Sequence, residues 1–222
     1  MAALKLGVLI SGRGSNLQAL IDACAADGFP ARIAVVISNV PTAAGLERAA
    51  GAGIATECIN HRDYDGRPAF EEALSAALAS HGVELICLAG FMRLLTKGFV
   101  DRWRDRIINI HPSLLPAFKG LHTHERVLDS GVRVTGCTVH YVRAEMDEGP
   151  IIVQGVVPVL QGDDPDALAA RVLTVEHRIY PQAVRMVAEG RARVVGNLVP
   201  IQAPASGDAA GDADHVLVSP AG

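Results

Sequence analysis

The chain has 222 residues, of which 50% are hydrophobic and 20% charged, with a formal net charge of −4. That length suits one large domain, or a domain with a tail, and the apolar share supplies an ample core. The acidic balance and the lack of any Lys/Arg-rich run argue against a nucleic-acid surface, and no apolar run reaches membrane-spanning length. Cys24, Cys58, Cys87 and Cys137 are widely spaced without a C-x-x-C pair, so they read as small buried hydrophobes in a reducing compartment. The first residues enter an apolar run without the three-part form of a signal peptide, and a cytoplasmic protein is expected.

Residues 4–10 form a short apolar run that stops at Ser11-Gly12-Arg13-Gly14-Ser15-Asn16 and gives way to a helical pattern through Leu17, Leu20, Ile21 and Cys24. Residues 33–38 read as a second strand, 43–50 as an Ala-rich helix, 54–59 as a third strand and 68–80 as an amphipathic helix. Two further apolar strands, 85–89 and 107–110, flank a helix at 97–103. Strands that are apolar on both faces and alternate with helices are the pattern of a parallel sheet. After Pro116 the pattern changes. Residues 132–142 and 151–159 are longer strand candidates joined by a polar turn, hence an antiparallel pair, and 165–188 is one long helix expected to kink or break near Pro181. From Ala203 onward the chain turns to Ala, Gly, Asp, Ser and Pro, which leaves little to bury, so 203–222 is expected to be a disordered tail. The fold class is therefore α/β: a Rossmann-like, mostly parallel sheet flanked by helices, with a C-terminal antiparallel strand pair and long helix.

Two segments carry chemistry. In Asn109-Ile110-His111-Pro112 the Asn and His are two apart, so an extended strand points both side chains the same way, and the proline ends regular pairing just beyond them. Asp147 lies in the turn Met146-Asp147-Glu148-Gly149-Pro150. A fold returning that turn to the strand end would bring together an amide that donates to a carbonyl oxygen, an imidazole that moves a proton and a carboxylate that holds it. An ordinary turn satisfying its own backbone is the competing interpretation.

In the loop from Ser11 to Asn16 the glycines permit a tight strand-to-helix turn, and the helix N-terminus offers backbone N–H groups to an anion. Leu17 stands where a dinucleotide fingerprint needs glycine, and no Gly-Lys-Ser/Thr follows, so neither of those loops is present. A single phosphate on Gly14, Ser15 and Asn16 is the expectation, against a plain helix cap.

With Gly90-Phe91-Met92-Arg93-Leu94-Leu95, Gly120-Leu121-His122-Thr123-His124, and Glu176-His177 followed by Tyr180-Pro181, these segments resemble the folate-dependent formyltransferases. The resemblance runs from about Leu4 to about Val199 and implies a formyltransferase domain over 1–200, phosphate-binding in its N-terminal half and folate-binding in its C-terminal half. It implies that 10-formyltetrahydrofolate gives its formyl group to the amine of 5′-phosphoribosylglycinamide in purine biosynthesis. Asn109, His111 and Asp147 would be catalytic, and Gly14, Ser15 and Asn16 would hold the substrate phosphate. Arg67, Met92, Arg93, Leu94, Leu95 and Asn109 would meet the folate, while Glu176, His122 and Gly120 would meet the other substrate or close the site. The partners implied are small molecules, with no metal, nucleic acid or membrane, and the protein would be a monomer or homodimer. Taken alone, Arg67 and Glu176 would be solvated surface charges, and Phe91, Met92, Leu94 and Leu95 would be core. Arg13 stands where such loops usually carry a small or uncharged residue. Folate hydrolases with an extra N-terminal domain and RNA-directed relatives with an extra C-terminal one are disfavoured by length. A zinc site using His122 and His124 with His111 or His140 lacks a fourth ligand.

Overall fold

Leu6, Val8, Leu9 and Ile10 are wholly shielded within β1 (Leu4–Ile10), as a strand covered on both faces requires. The computed structural model describes residues 2–202 and 217–219. The chain forms two compact units, Met1–Asn109 with Val142–Ala144, and Ile110–Tyr141 with Glu145–Gly222.

In the first unit β1 pairs in parallel with β2 (Ala31–Ser38) on one side and β4 (Leu85–Leu88) on the other. Beyond them lie β3 (Thr56–Cys58), parallel to β2, and β5 (Ile107–His111), parallel to β4 with Leu88 opposite Asn109. The connections carry α1 (Ser15–Ala25), α2 (Ala44–Gly51), α3 (Arg67–Ser80) and α4 (Lys97–Arg102). Leu9, Val35, Ile86 and Ile107 from the strands meet Phe70, Leu74, Leu78, Phe99 and Trp103 from the helices in one core. Phe91 and Leu95 pack partly against that core, so for these two the apolar reading holds.

In the second unit β6 (Val134–Tyr141) and β7 (Ile151–Pro158) form the expected antiparallel pair. Glycines set their closeness. A Cβ on Gly136 would fall 1.8 Å from the Gly155 carbonyl oxygen, and one on Gly155 would fall 2.3 Å from Val175 of α6 (Pro165–Ala188). Any larger residue would push the strands and helix apart. α6 does not break at Pro181; Ile179, Tyr180, Ala183 and Val184 are fully buried around it, and that packing outweighs the lost backbone bond.

Three elements had no counterpart in the sequence reading: a 3-10 turn at His61–Asp63, α5 (Thr123–Ser130) and β8 (Leu217–Ser219). Only Thr123 and Val127 of α5 are buried, so it lacks the apolar stripe by which helices are recognised. The cysteine reading needs correction too. Cys87 and Cys137 are buried, but Cys58 is exposed on the short β3. Of the supposed tail, Leu217–Ser219 is described as β8, antiparallel to β7, while 203–216 and 220–222 lie outside the described residues. Among the described residues no helix is long and apolar enough to cross a membrane.

Candidate active site

In the first unit the 11–16 loop, the expected phosphate site, is shaped by its backbone. β1 ends at Ile10, and Gly14 takes a left-handed conformation (φ 74°) directly before α1. A Cβ there would lie 2.8 Å from the Cα of Gly45, whose own N–H donates to the Gly12 carbonyl at 3.1 Å. Glycine at both positions therefore lets the loop lie flat against the start of α2. The N-cap Gly14 brings no side-chain cap and the first turn of α1 holds no acid, and a cavity of about 250 Å³ opens at this end of the helix. Gly14, Ser15 and Asn16 line that cavity together with Ser11, Gly90 and Met92. The Arg13 side chain is exposed, and its carbonyl accepts from Arg48 Nε at 2.9 Å.

Met92 and Leu94 are 67% and 62% exposed, unlike their neighbours Phe91 and Leu95. They are therefore not core, and the 90–95 segment presents two large apolar side chains to whatever binds there. Arg93 is exposed as well, and Arg67 stands exposed at the first position of α3.

The second unit builds its cluster from side chains. His111, the last residue of β5, is buried; Asn109, two residues earlier and the end of the first unit's main segment, is half-buried. The His111 ring lies between two acceptors, with Nε2 3.0 Å from the Phe118 carbonyl and Nδ1 3.5 Å from Asp147 Oδ2. The Asp147 carboxylate also accepts from Gly120 N–H at 2.8 Å, which ties the two loops together. Asp147 itself takes a left-handed backbone (φ 57°), one that Asp tolerates better than most residues. The adjacent Gly149 is required, since a Cβ would fall 1.5 Å from the Tyr141 carbonyl oxygen.

Two more histidines surround this pair. His140 Nε2 lies 3.9 Å from Asp147 Oδ1, while its Nδ1 donates to the Tyr141 carbonyl at 3.0 Å. Burial, helped by His111, pushes His140 below the ordinary imidazole range, against the opposing pull of the Tyr141 carbonyl and Asp147. Burial and then His111 likewise lower His124, with Glu125 opposing. Behind them Thr138 fastens the chain that follows β5. Its hydroxyl donates to the Ser113 carbonyl at 2.7 Å and accepts from Leu115 N–H at 3.1 Å and from the Gln154 amide at 3.0 Å. An apolar cleft of about 680 Å³ opens beside Asp147, lined by Leu115, Pro116, Gly149 and the 195–200 segment.

The remaining candidates separate. Glu176 is 7% exposed on the inner side of α6, not a surface charge, and after burial it is the next influence raising the Cys137 thiol. His122 is exposed and pairs with Glu125 at 2.8 Å, so it turns from His111. Among the described residues no three His, Cys, Asp or Glu side chains gather as a metal site would. His140, His124, Thr138 and Gln154 were not singled out as catalytic neighbours or scaffold. The available signal was Thr138-x-His140, two polar residues on one face of an otherwise apolar strand.

Residues 4–184 match the formyl transferase family model. The chain is 45% identical over 194 residues to phosphoribosylglycinamide formyltransferase of Escherichia coli, covering 87% of this chain and 92% of that one. It is 50% identical over 193 residues to the trifunctional purine biosynthetic protein adenosine-3 of Bos taurus, spanning 87% of this chain but only 19% of that longer protein. The crystal structure of glycinamide ribonucleotide transformylase 1 from Symbiobacterium toebii superimposes with a TM-score of 0.89 at 50% identity, covering 90% of this chain and 95% of that one. The chain belongs to the formyl transferase family.

Proposed function

We propose that this chain transfers the formyl group of 10-formyltetrahydrofolate to the amine of 5′-phosphoribosylglycinamide, a step of purine biosynthesis, and does so in the cytoplasm. The observation that carries the reading is the buried contact between His111 and Asp147, with an acceptor at each ring nitrogen of His111. A charged imidazole held in this way suits a reaction in which a carbonyl oxygen gains negative charge. The name of the Escherichia coli relative supports the acceptor and the group transferred, and the folate donor comes from the resemblance to the folate-dependent formyltransferases.

The substrate amine is itself the nucleophile, so no side chain needs to form a covalent intermediate. As it attacks the formyl carbon, Asn109 Nδ2 donates to the developing oxyanion together with His111 Nε2, which gives up the Phe118 carbonyl for it, the point at which such donors contribute most. Asp147 stabilises the charged ring through Nδ1 and fixes its orientation. The amine must lose a proton and the folate nitrogen must gain one, and His111 is the group suited to carry it. Gly14, Ser15 and Asn16 hold the phosphate through backbone N–H groups, the Ser15 hydroxyl and the Asn16 amide. The backbone of 92–95 and the exposed Met92 and Leu94 side chains receive the pterin, with Arg67 toward the glutamate end. Glu176 serves the ribose or amine end, and Gly120 acts through its bond to Asp147.

A formyl-transfer assay with both substrates, followed by the ultraviolet change as the folate is deformylated, tests this directly. Turnover that requires the amine is expected. Equal turnover without the amine would replace the transferase by a hydrolase, and silence with folate bound would overturn the choice of acceptor.

A further inference from the structure

Ser11 has no role in the mechanism above, yet it sits where the two ligand segments of the first unit meet. Its hydroxyl donates to Asn39 Oδ1 at 2.6 Å and accepts from Met92 N–H at 2.8 Å. Its own N–H donates to the Gly90 carbonyl at 3.1 Å. The residue that opens the anion loop thus grips the 90–92 turn at both ends. Asn39 is 3% exposed, and its amide nitrogen lies 3.1 Å from His61 Nδ1, so the acceptor that aims the Ser11 hydroxyl is itself held.

The far end of the segment is anchored as firmly. Buried Glu71 of α3 accepts from Thr96 N–H at 2.7 Å and from the Thr96 hydroxyl, and Thr96 caps α4. Between these anchors lie Arg93, Leu94 and Leu95. Exposed apolar side chains such as Met92 and Leu94 gain by folding back against the protein, and a backbone fastened at two points resists that collapse. A segment kept open in this way binds without first having to be ordered.

We infer that Ser11 is a positioning residue, which sets the backbone of the folate segment from the phosphate loop through a single hydroxyl. Folate affinity then depends on a residue of the loop that holds the other substrate. This rests on the proposed assignment of Gly14, Ser15 and Asn16 to phosphate and of 92–95 to folate. Removing the hydroxyl leaves the Met92 N–H and the Asn39 carbonyl without their shared partner, which releases the turn.

The test compares wild type with Ser11→Ala and Ser11→Thr. In Ser11→Ala the KM for 10-formyltetrahydrofolate rises about three- to tenfold, while that for the phosphorylated amine stays within about twofold. Ser11→Thr keeps the hydroxyl and restores the folate KM. Amide exchange at Met92 quickens by about tenfold in Ser11→Ala alone, and that readout needs no ligand. A loss confined to the phosphorylated amine would make Ser11 a direct phosphate ligand and overturn the inference. Equal loss in the two variants, or unchanged exchange at Met92, would do the same. If the wild type lacks formyl transfer altogether, the functional reading fails by itself, and Met92 exchange still judges the anchor.

Discussion

On the proposed function, the two units solve two recognition problems with different materials. The anion loop of the first is backbone: glycines at 14 and 45 let the chain lie close, and the uncapped start of α1 supplies the donors. The cluster of the second is side chain: His111, His140 and Asp147 are gathered inside, and only 7%, 3% and 10% of their side-chain surfaces are exposed. A phosphate is already charged when it arrives, and fixed N–H dipoles suffice to hold it. An oxyanion forms only during reaction, so it calls for a group that can carry charge and pass on a proton. The first region should therefore depend on the path of its backbone, and the second on the protons its side chains carry.

The largest effect expected is on turnover. His111→Ala and Asp147→Asn should each lower kcat by about 10²–10³-fold, with folate affinity little changed. Stopped-flow or steady-state rates on variants with native melting temperatures check this. Near-normal turnover in either variant would remove that residue from the reaction and collapse the contrast between the two regions.

The next prediction separates backbone from side chain within the anion loop. Gly14→Ala forces a Cβ onto a left-handed residue 2.8 Å from the Gly45 Cα, so the loop must shift. The KM for the phosphorylated amine should rise roughly 10–100-fold, as expected when hydrogen bonds to a charged group are misplaced. Asn16→Ala removes one amide and leaves the loop in place, for a smaller rise of about tenfold or less. If Asn16→Ala costs more than Gly14→Ala, the site is built of side chains after all. Inorganic phosphate as a competitor gives the same ranking without turnover.

Much of this arrangement was legible in the sequence because local rules specified it. Continuous apolar runs marked β1 and β4, Ser11-Gly12-Arg13-Gly14 marked the strand-to-helix turn, and Asn109-x-His111-Pro112 marked a strand end with paired polar groups. What was hidden depends on residues distant in sequence. Nothing near His111 says that His140, 29 positions on by subtraction, shares its carboxylate. The Thr138 hydroxyl that fastens the 113–115 turn is likewise visible only once β6 is in place. Glu176 looked like a surface charge because helical spacing shows which residues share a face and not which face a neighbour covers. The same limit hid the split between Phe91 and Leu95, which pack on the core, and Met92 and Leu94, which do not.

The smallest predicted effect is on stability, and it tests how far the second region depends on protonation. Burial holds His140 and His124 below the ordinary imidazole value of 6.5. In the unfolded chain both titrate near that value, so just below it the unfolded state binds more protons than the folded one. Their contribution is thus complete above 6.5 and is lost as pH falls toward their lowered folded values. Asp163, drawn down to about 2 chiefly by its hydrogen bonds to Arg171, titrates far below this window and does not confuse it. The melting temperature should decline between about pH 7 and pH 5.5, and His140→Asn, which keeps a donor for the Tyr141 carbonyl, should flatten that slope. The slope, and not the absolute melting temperature, is the readout, because the substitution costs packing at every pH. A melting temperature that climbs as the solution is acidified would mean that His140 gains its proton on folding. Asp147 would then outweigh burial at His140.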